Sequence, residues 1–133
     1  MKFNFREVLF RIWYWYVSKV DKNAEVLFMN YGFTEDGKNI SLDTKNEANR
    51  YSIQLYNHLA INTDIKDKDI IEIGCGRGGG LKYITENYLP SSATGVDLNS
   101  RAIKFCNQHY KQKNMSFLQG DAQNLSIDNN LYD

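Results

Sequence analysis

Four places along the chain hold residue types that could do chemistry together. The densest is Gly74-Cys75-Gly76-Arg77-Gly78-Gly79-Gly80, preceded two positions earlier by Glu72. Glycines in such a run let the backbone turn sharply and let a ligand come close to it. Gly74, Gly76 and Gly79 have the spacing of a dinucleotide fingerprint, although the same run also reads as a tight structural turn. At Asp97 a carboxylate can accept hydrogen bonds from two vicinal hydroxyls, or simply face solvent. Asp121, within Gly120-Asp121-Ala122, can accept from an exocyclic amine, or serve as an ordinary turn aspartate. Glu72 would be costly to bury alone and is easier to explain beside a cationic ligand.

What must position these residues is an alternation of strands and helices. Ile70-Ile71-Glu72-Ile73 is a short β-branched run that stops at Gly74, which reads as a strand entering the glycine turn. Leu81, Ile84 and Tyr88 then space as a helix, with Pro90 after its end. Ala93 to Asp97 reads as a second strand and Ser116 to Gln119 as a third. Between them Ser100 is placed to cap a helix whose inner face is Ile103, Cys106 and Tyr110. This order predicts an α/β fold with a parallel sheet, flanking helices and right-handed crossovers. Ligands in such sheets bind beyond the carboxyl ends of the strands. Gly74, Asp97 and Gly120-Asp121 should therefore meet on one rim.

Upstream the pattern is helical. Residues 3–20 read as one helix, and Val8 to Val17 is nearly continuous apolar and aromatic sequence interrupted by Arg11. The run is too short to span a bilayer and lacks the small-residue cleavage site of a signal peptide. It fits a helix packed on the domain, with the Trp13 to Tyr16 cluster inside a lid; contact with a membrane surface is the alternative. Residues 27–42 hold turn signals at Tyr31-Gly32-Phe33 and Asp36-Gly37-Lys38. Tyr31 either packs in that lid or lines an acceptor site. Thr44 and Glu47 have capping-box spacing and open a helix near residue 45, with Ala48, Tyr51, Leu55 and Leu59 as its apolar stripe. Residues 1–62 are thus expected to form a helical lid or cap, and residues 63–133 the ligand-binding domain.

Composition narrows the class. The 133 residues supply one modest domain, and acidic and basic residues balance at 16 each, so nothing favours nucleic acid as a partner. A hydrophobic share of 42% provides a core and argues against disorder. Cys75 and Cys106 stand in no metal or redox pattern and read as reduced thiols of a cytoplasmic protein, with no metal expected.

As a set the four places discriminate between cofactors. A nicotinamide dinucleotide has a pyrophosphate, which acids at Glu72 and Asp121 do not suit. S-adenosylmethionine (SAM) has none, and presents an ammonium, a ribose diol and an adenine amine that carboxylates can hold. The motifs themselves also resemble one family. Ile70-Ile71-Glu72-Ile73-Gly74-Cys75-Gly76-Arg77-Gly78 is similar to the first motif of class I SAM-dependent methyltransferases. Gly95-Val96-Asp97-Leu98-Asn99 looks like their second-strand motif, and Gly120-Asp121-Ala122-Gln123-Asn124-Leu125 like their third. Ile127 to Asp133 is similar to the segment leading into their fourth strand. Met29 to Phe33, Asn49-Arg50-Tyr51, Gln54-Leu55-Tyr56 and Gly78-Gly79-Gly80 resemble a subgroup, the phthiotriol and phenolphthiotriol dimycocerosate methyltransferases.

The resemblance implies a Rossmann-like sheet ordered 3-2-1-4-5-7-6, of which this sequence carries strands 3, 2 and 1, leaving strand 1 at an open edge. It implies SAM as cofactor, held by Glu72, Gly74, Gly76, Arg77, Gly78, Asp97, Leu98, Asn99, Asp121, Ala122 and Gln123. It also implies a small-molecule or lipid-like acceptor methylated on oxygen. The parts of the family fold that supply most of the acceptor pocket and any base lie beyond strand 3. The residues alone therefore identify no catalytic group; His58 and His109 are the only histidines, the residue type most often used as a base at neutral pH. A chain this short is expected to be inactive by itself. A non-catalytic SAM-binding module is the alternative, and a nicotinamide-dependent oxidoreductase a more distant one.

Overall fold

The computed structural model describes residues 5–21, 25–37, 39–125, 127–128 and 131–133. Residues 3 and 4 of the expected first helix, Lys38 of the expected turn, and Asn129 and Asn130 lie outside the described residues, as does the side chain of Arg11.

Helix α1 (Phe5–Val20) opens the chain. A 3-10 turn, Thr44–Asn49, leads into helix α2 (Arg50–Ala60). The rest alternates: strand β1 (Asp69–Ile73), helix α3 (Gly79–Tyr88), strand β2 (Ser92–Asp97), helix α4 (Ser100–His109) and strand β3 (Met115–Gln119). Both strand pairings are parallel and the sheet order is β1-β2-β3. The register sets Glu72 opposite Gly95, and Gly95 opposite Phe117. Leu81 of α3 and Ile103 and Cys106 of α4 meet Ala93, Phe117, Cys75 and Tyr110 in one buried cluster against the sheet. The expected inner face of α4 is therefore the observed one. The middle strand β2 is built from Ala93, Thr94, Gly95 and Val96, all buried. Small and β-branched residues suit a strand covered on both faces.

Strand β1 lies at the edge of the described sheet, and Ile73 is exposed. The Asp133 N–H donates to the Asp69 carbonyl at 2.9 Å, and the Asp69 N–H donates back to Asp133 Oδ2 at 2.9 Å.

Several local expectations give way to specific contacts. Ser100 does not cap α4. Asn99 does, its Oδ1 accepting the Arg101 and Ala102 amides at 3.0 and 3.4 Å, because the helix begins one residue earlier, at Ser100 itself. The capping box is also not formed, since the Glu47 carboxylate is taken by the Arg50 guanidinium. Of the stripe expected on α2, Ala48, Tyr51 and Leu59 are exposed and Leu55 is half-buried, while Ile53, Gln54 and Ala60 are buried. The packed face carries apolar Ile53 and Ala60 together with polar groups that are paired. Asn57 Oδ1 accepts the hydroxyls of Tyr83 at 3.0 Å and Tyr88 at 2.7 Å, and Gln54 Nε2 donates to the Phe33 carbonyl at 3.1 Å. Buried polar groups hold a face only when paired in this way.

On helix α1 Val17 is buried, while Trp13, Trp15 and Tyr16 of the aromatic cluster are exposed; the side chain of Tyr14 lies outside the described residues. Among the described residues no helix is long and apolar enough to cross a membrane. No group of three or more His, Cys, Asp or Glu among them could hold a metal ion.

Candidate functional site

The carboxyl ends of the three strands converge. The Gly74 and Cys75 amides donate to the Val96 carbonyl at 2.7 and 3.0 Å, and the Gly120 amide donates to the Asp97 carbonyl at 3.1 Å. The expected rim is therefore present, with Gly74, Asp97 and Gly120-Asp121 side by side. Asp97 is its hub. Its Oδ2 accepts the Gly76 amide and its Oδ1 the Asn99 amide, both at 2.8 Å. A carboxylate offers about four lone-pair positions, so each oxygen keeps capacity for one further donor.

The glycine turn meets solvent at Gly74, while Gly76 is buried. Nothing lies within 4 Å of where a Cβ on Gly74 would stand, and at Gly76 the nearest neighbour is Met29 Sδ at 3.9 Å. Gly76 has φ +54°, a left-handed conformation that other residues adopt only at a cost. Gly78 begins the helix, and a Cβ there would meet the Tyr110 and Phe117 rings at about 3 Å, so it packs toward the core rather than the rim. The segment before α2 crosses this turn: the Leu27 carbonyl accepts the Gly79 amide at 3.3 Å.

Glu72 sits beneath the turn. Its Oε1 accepts the Tyr56 hydroxyl at 2.6 Å, and its Oε2 is buried with no hydrogen-bond partner. Burial pushes its carboxyl above the ordinary range; the Tyr56 hydrogen bond pulls it back, the nearby Asp97 charge adds to the rise, and the Leu81 amide again favours the ionised form. An unpartnered buried carboxylate oxygen is rare in folded proteins and asks for a donor. Burial raises the Tyr56 phenol as well, and the Glu72 charge raises it further.

The remaining candidates separate. Arg77 does not present its guanidinium to the rim. The side chain is buried, ion-paired with Asp21 Oδ2 at 2.9 Å and stacked over Phe105 at 3.8 Å, because the low-dielectric interior holds a cation only beside an anion. Leu98 is exposed at the rim, while the Asn99 side chain is consumed by its cap. Asp121 is exposed and its Oδ1 accepts the Gln123 amide at 2.9 Å, the ordinary turn geometry; Ala122 and Gln123 are exposed beside it. Tyr31 is fully exposed among the described residues, whereas Met29 reaches the turn. His58 stacks on Phe33 at 4.1 Å and His109 on Phe105 at 4.9 Å, both engaged in packing. Both cysteines are free and buried; burial first raises both thiols, Cys106 to about 12, which makes them inert. Met29 and Tyr56 stood in the sequence only as part of the subgroup likeness; nothing there linked Met29 to Gly76 or Tyr56 to Glu72.

These features fit SAM. Glu72 Oε2 lacks a hydrogen-bond partner, the backbone at Gly74 is exposed with no side chain over it, Gly76 has only Met29 against it, and Asp97 retains acceptor capacity for a diol. Comparison with known proteins agrees. Residues 70–133 match the family described as "Methyltransferase domain". A fatty-acid O-methyltransferase of Mycolicibacterium smegmatis is 41% identical over 121 residues, covering 90% of this chain and 44% of that protein. A phthiotriol/phenolphthiotriol dimycocerosates methyltransferase of Mycobacterium tuberculosis is 37% identical over 127 residues, covering 92% and 47%. The chain thus spans less than half the length of these relatives. A SAM-dependent methyltransferase from Mesorhizobium loti shares the fold with a TM-score of 0.51 at 19% identity, covering 56% of this chain and 34% of that one. Over residues 70–133 the chain is a class I SAM-dependent methyltransferase domain, with a partial Rossmann-like sheet.

Proposed function

We propose that this chain forms the SAM-binding part of a methyltransferase that acts on oxygen of a small-molecule or lipid-like acceptor. The observation that carries the cofactor half is the Asp97 carboxylate, tied to the Gly76 and Asn99 amides with lone pairs to spare. In this reading Asp97 accepts the two ribose hydroxyls, Glu72 Oε2 accepts from the ammonium, and the Gly74–Gly76 backbone lies against the cofactor. Asp121, Ala122 and Gln123 border the adenine, with Leu98 exposed next to them. Arg77 and Gly78 contribute through the shape of the turn. SAM supplies a methyl group already activated on a sulfonium. The chain's task is to hold and orient, which can be worth roughly 7–11 kcal/mol of barrier. Residues 25–33, with Met29 over Gly76, act as a lid on this site.

The acceptor reading draws on the relatives, one of which is named a fatty-acid O-methyltransferase, and on the zero net charge. Calorimetry with SAM and its product S-adenosylhomocysteine (SAH) tests the first half, and micromolar binding is expected. Radiolabelled methyl transfer by the whole protein into lipid, RNA and protein fractions tests the second. Label in RNA or protein alone overturns the acceptor reading.

A further inference from the structure

We infer that Tyr56, which lies outside the matched domain, is a positioning residue for the cofactor site: it fixes the Glu72 carboxylate so that Oε2 is the oxygen left to accept from a ligand cation. The inference rests on the SAM-binding reading above and extends it to helix α2.

The geometry is specific. Tyr56 Oη donates to Glu72 Oε1 at 2.6 Å, a short charge-assisted bond. Oε2 of the same carboxylate is buried and has no partner. A two-oxygen carboxylate with one oxygen held and one orphaned is oriented rather than merely buried. The phenol can reach it because position 80 is glycine. A Cβ on Gly80 would stand 1.8 Å from Tyr56 Cζ and 2.3 Å from Tyr56 Oη, so the ring occupies the space any side chain at position 80 would need. The ring also meets Phe28 at 6.2 Å between centroids, which fixes it from the other side. Without the phenol, Oε1 would lose its close donor and only the Leu81 amide would still favour the ionised form, and a buried carboxylate so weakly held takes up a proton more readily or turns away. The Tyr56 hydrogen bond opposes that protonation. Helix α2 is thereby coupled to the cofactor site through one side chain.

The test is Tyr56→Phe, which keeps the ring over Gly80 and removes only the hydroxyl, with Glu72→Gln and the double variant beside it. Two probes are titrated by calorimetry: SAH, which has the ammonium, and 5′-methylthioadenosine, which lacks the whole amino-acid part. Tyr56→Phe should weaken SAH by about tenfold and leave methylthioadenosine unchanged. In the Glu72→Gln background, Tyr56→Phe should add no further loss for SAH, because the two residues act as one unit. Equal weakening of both probes would mean that Tyr56 only supports the fold, and no weakening of SAH would mean that Glu72 needs no orientation; either overturns the inference. If the unaltered chain binds neither probe, the SAM-binding reading itself falls.

Discussion

The carboxylate of Asp97 accepts the amide of Gly76 at 2.8 Å, which ties the end of β2 to the turn that follows β1. Replacing Asp97 with Ala removes that tie, the Asn99 contact and the proposed diol acceptor together. SAH affinity should fall by roughly ten- to a hundredfold, as expected for charge-assisted hydrogen bonds worth about 1.5–3 kcal/mol. Calorimetry measures this directly, and unchanged affinity would remove Asp97 from the site.

At Gly76 the strain and the ligand contact can be separated. An alanine there keeps φ positive at a cost of about 1–2 kcal/mol, which a folded domain can bear. Its Cβ would point into open space bounded by Met29 Sδ at 3.9 Å. Gly76→Ala should stay folded by circular dichroism and lose most SAH binding. Gly76→Val should lose binding too, but the φ of +54° makes a β-branched residue there harder to fold. Normal SAH binding by folded Gly76→Ala would show that the loop is a structural turn only.

Glu72 sets a pH dependence with a definite sign. Burial raises its carboxyl above the ordinary 4.5 in the folded chain, so in the window just above that value the folded state holds more protons than the unfolded one. Unfolding free energy therefore falls as pH rises through the window. The penalty is absent in acid and full once the folded carboxyl has ionised. Glu72→Gln, whose amide oxygen can still accept from Tyr56, should stabilise the unliganded chain at neutral pH and leave it unchanged in acid. Urea denaturation across that range checks this; greater stabilisation in acid than at neutral pH would contradict it.

The Asp21–Arg77 pair joins the residue after α1 to the glycine turn, with both side chains nearly out of solvent. Asp21 also accepts the Glu25 and Val26 amides at 2.8 and 3.0 Å. Asp21→Ala should cost about 3–5 kcal/mol, because it strands a buried guanidinium. Arg77→Met added to it should recover part of the loss. Denaturation of the three variants decides, and strictly additive losses would show that the pair is not coupled.

The strand–helix alternation was legible because β-branched runs, helical spacing and glycine or proline stops coincide at Ile70–Ile73, Leu81–Tyr88 and Ala93–Asp97. The rim was legible for the same reason: strand ends in a parallel sheet are neighbours. Side-chain direction was not. Arg77 sits inside a glycine motif, yet its partner, Asp21, lies 56 positions earlier, and nothing local announces it. On α2 Tyr51 and Leu59 misled because the packed face combines Ile53 and Ala60 with Gln54 and Asn57, whose polar atoms pair with Phe33, Tyr83 and Tyr88. Capping at Asn99 rather than Ser100 turned on one residue of backbone geometry, below the resolution of any pattern.

Gly80 and Tyr56 occupy what is, in effect, one volume. A lineage that acquires a side chain at position 80 must already have shrunk or moved the residue at position 56, and one that keeps tyrosine at 56 is held to glycine at 80. The two codons therefore cannot drift independently, although 24 positions separate them. Among descendants of this sequence, Tyr56 with Gly80 should be inherited as a pair, and chimaeras that splice an N-terminal segment carrying tyrosine onto a domain lacking Gly80 should fail at the α2–α3 seam before any question of chemistry arises.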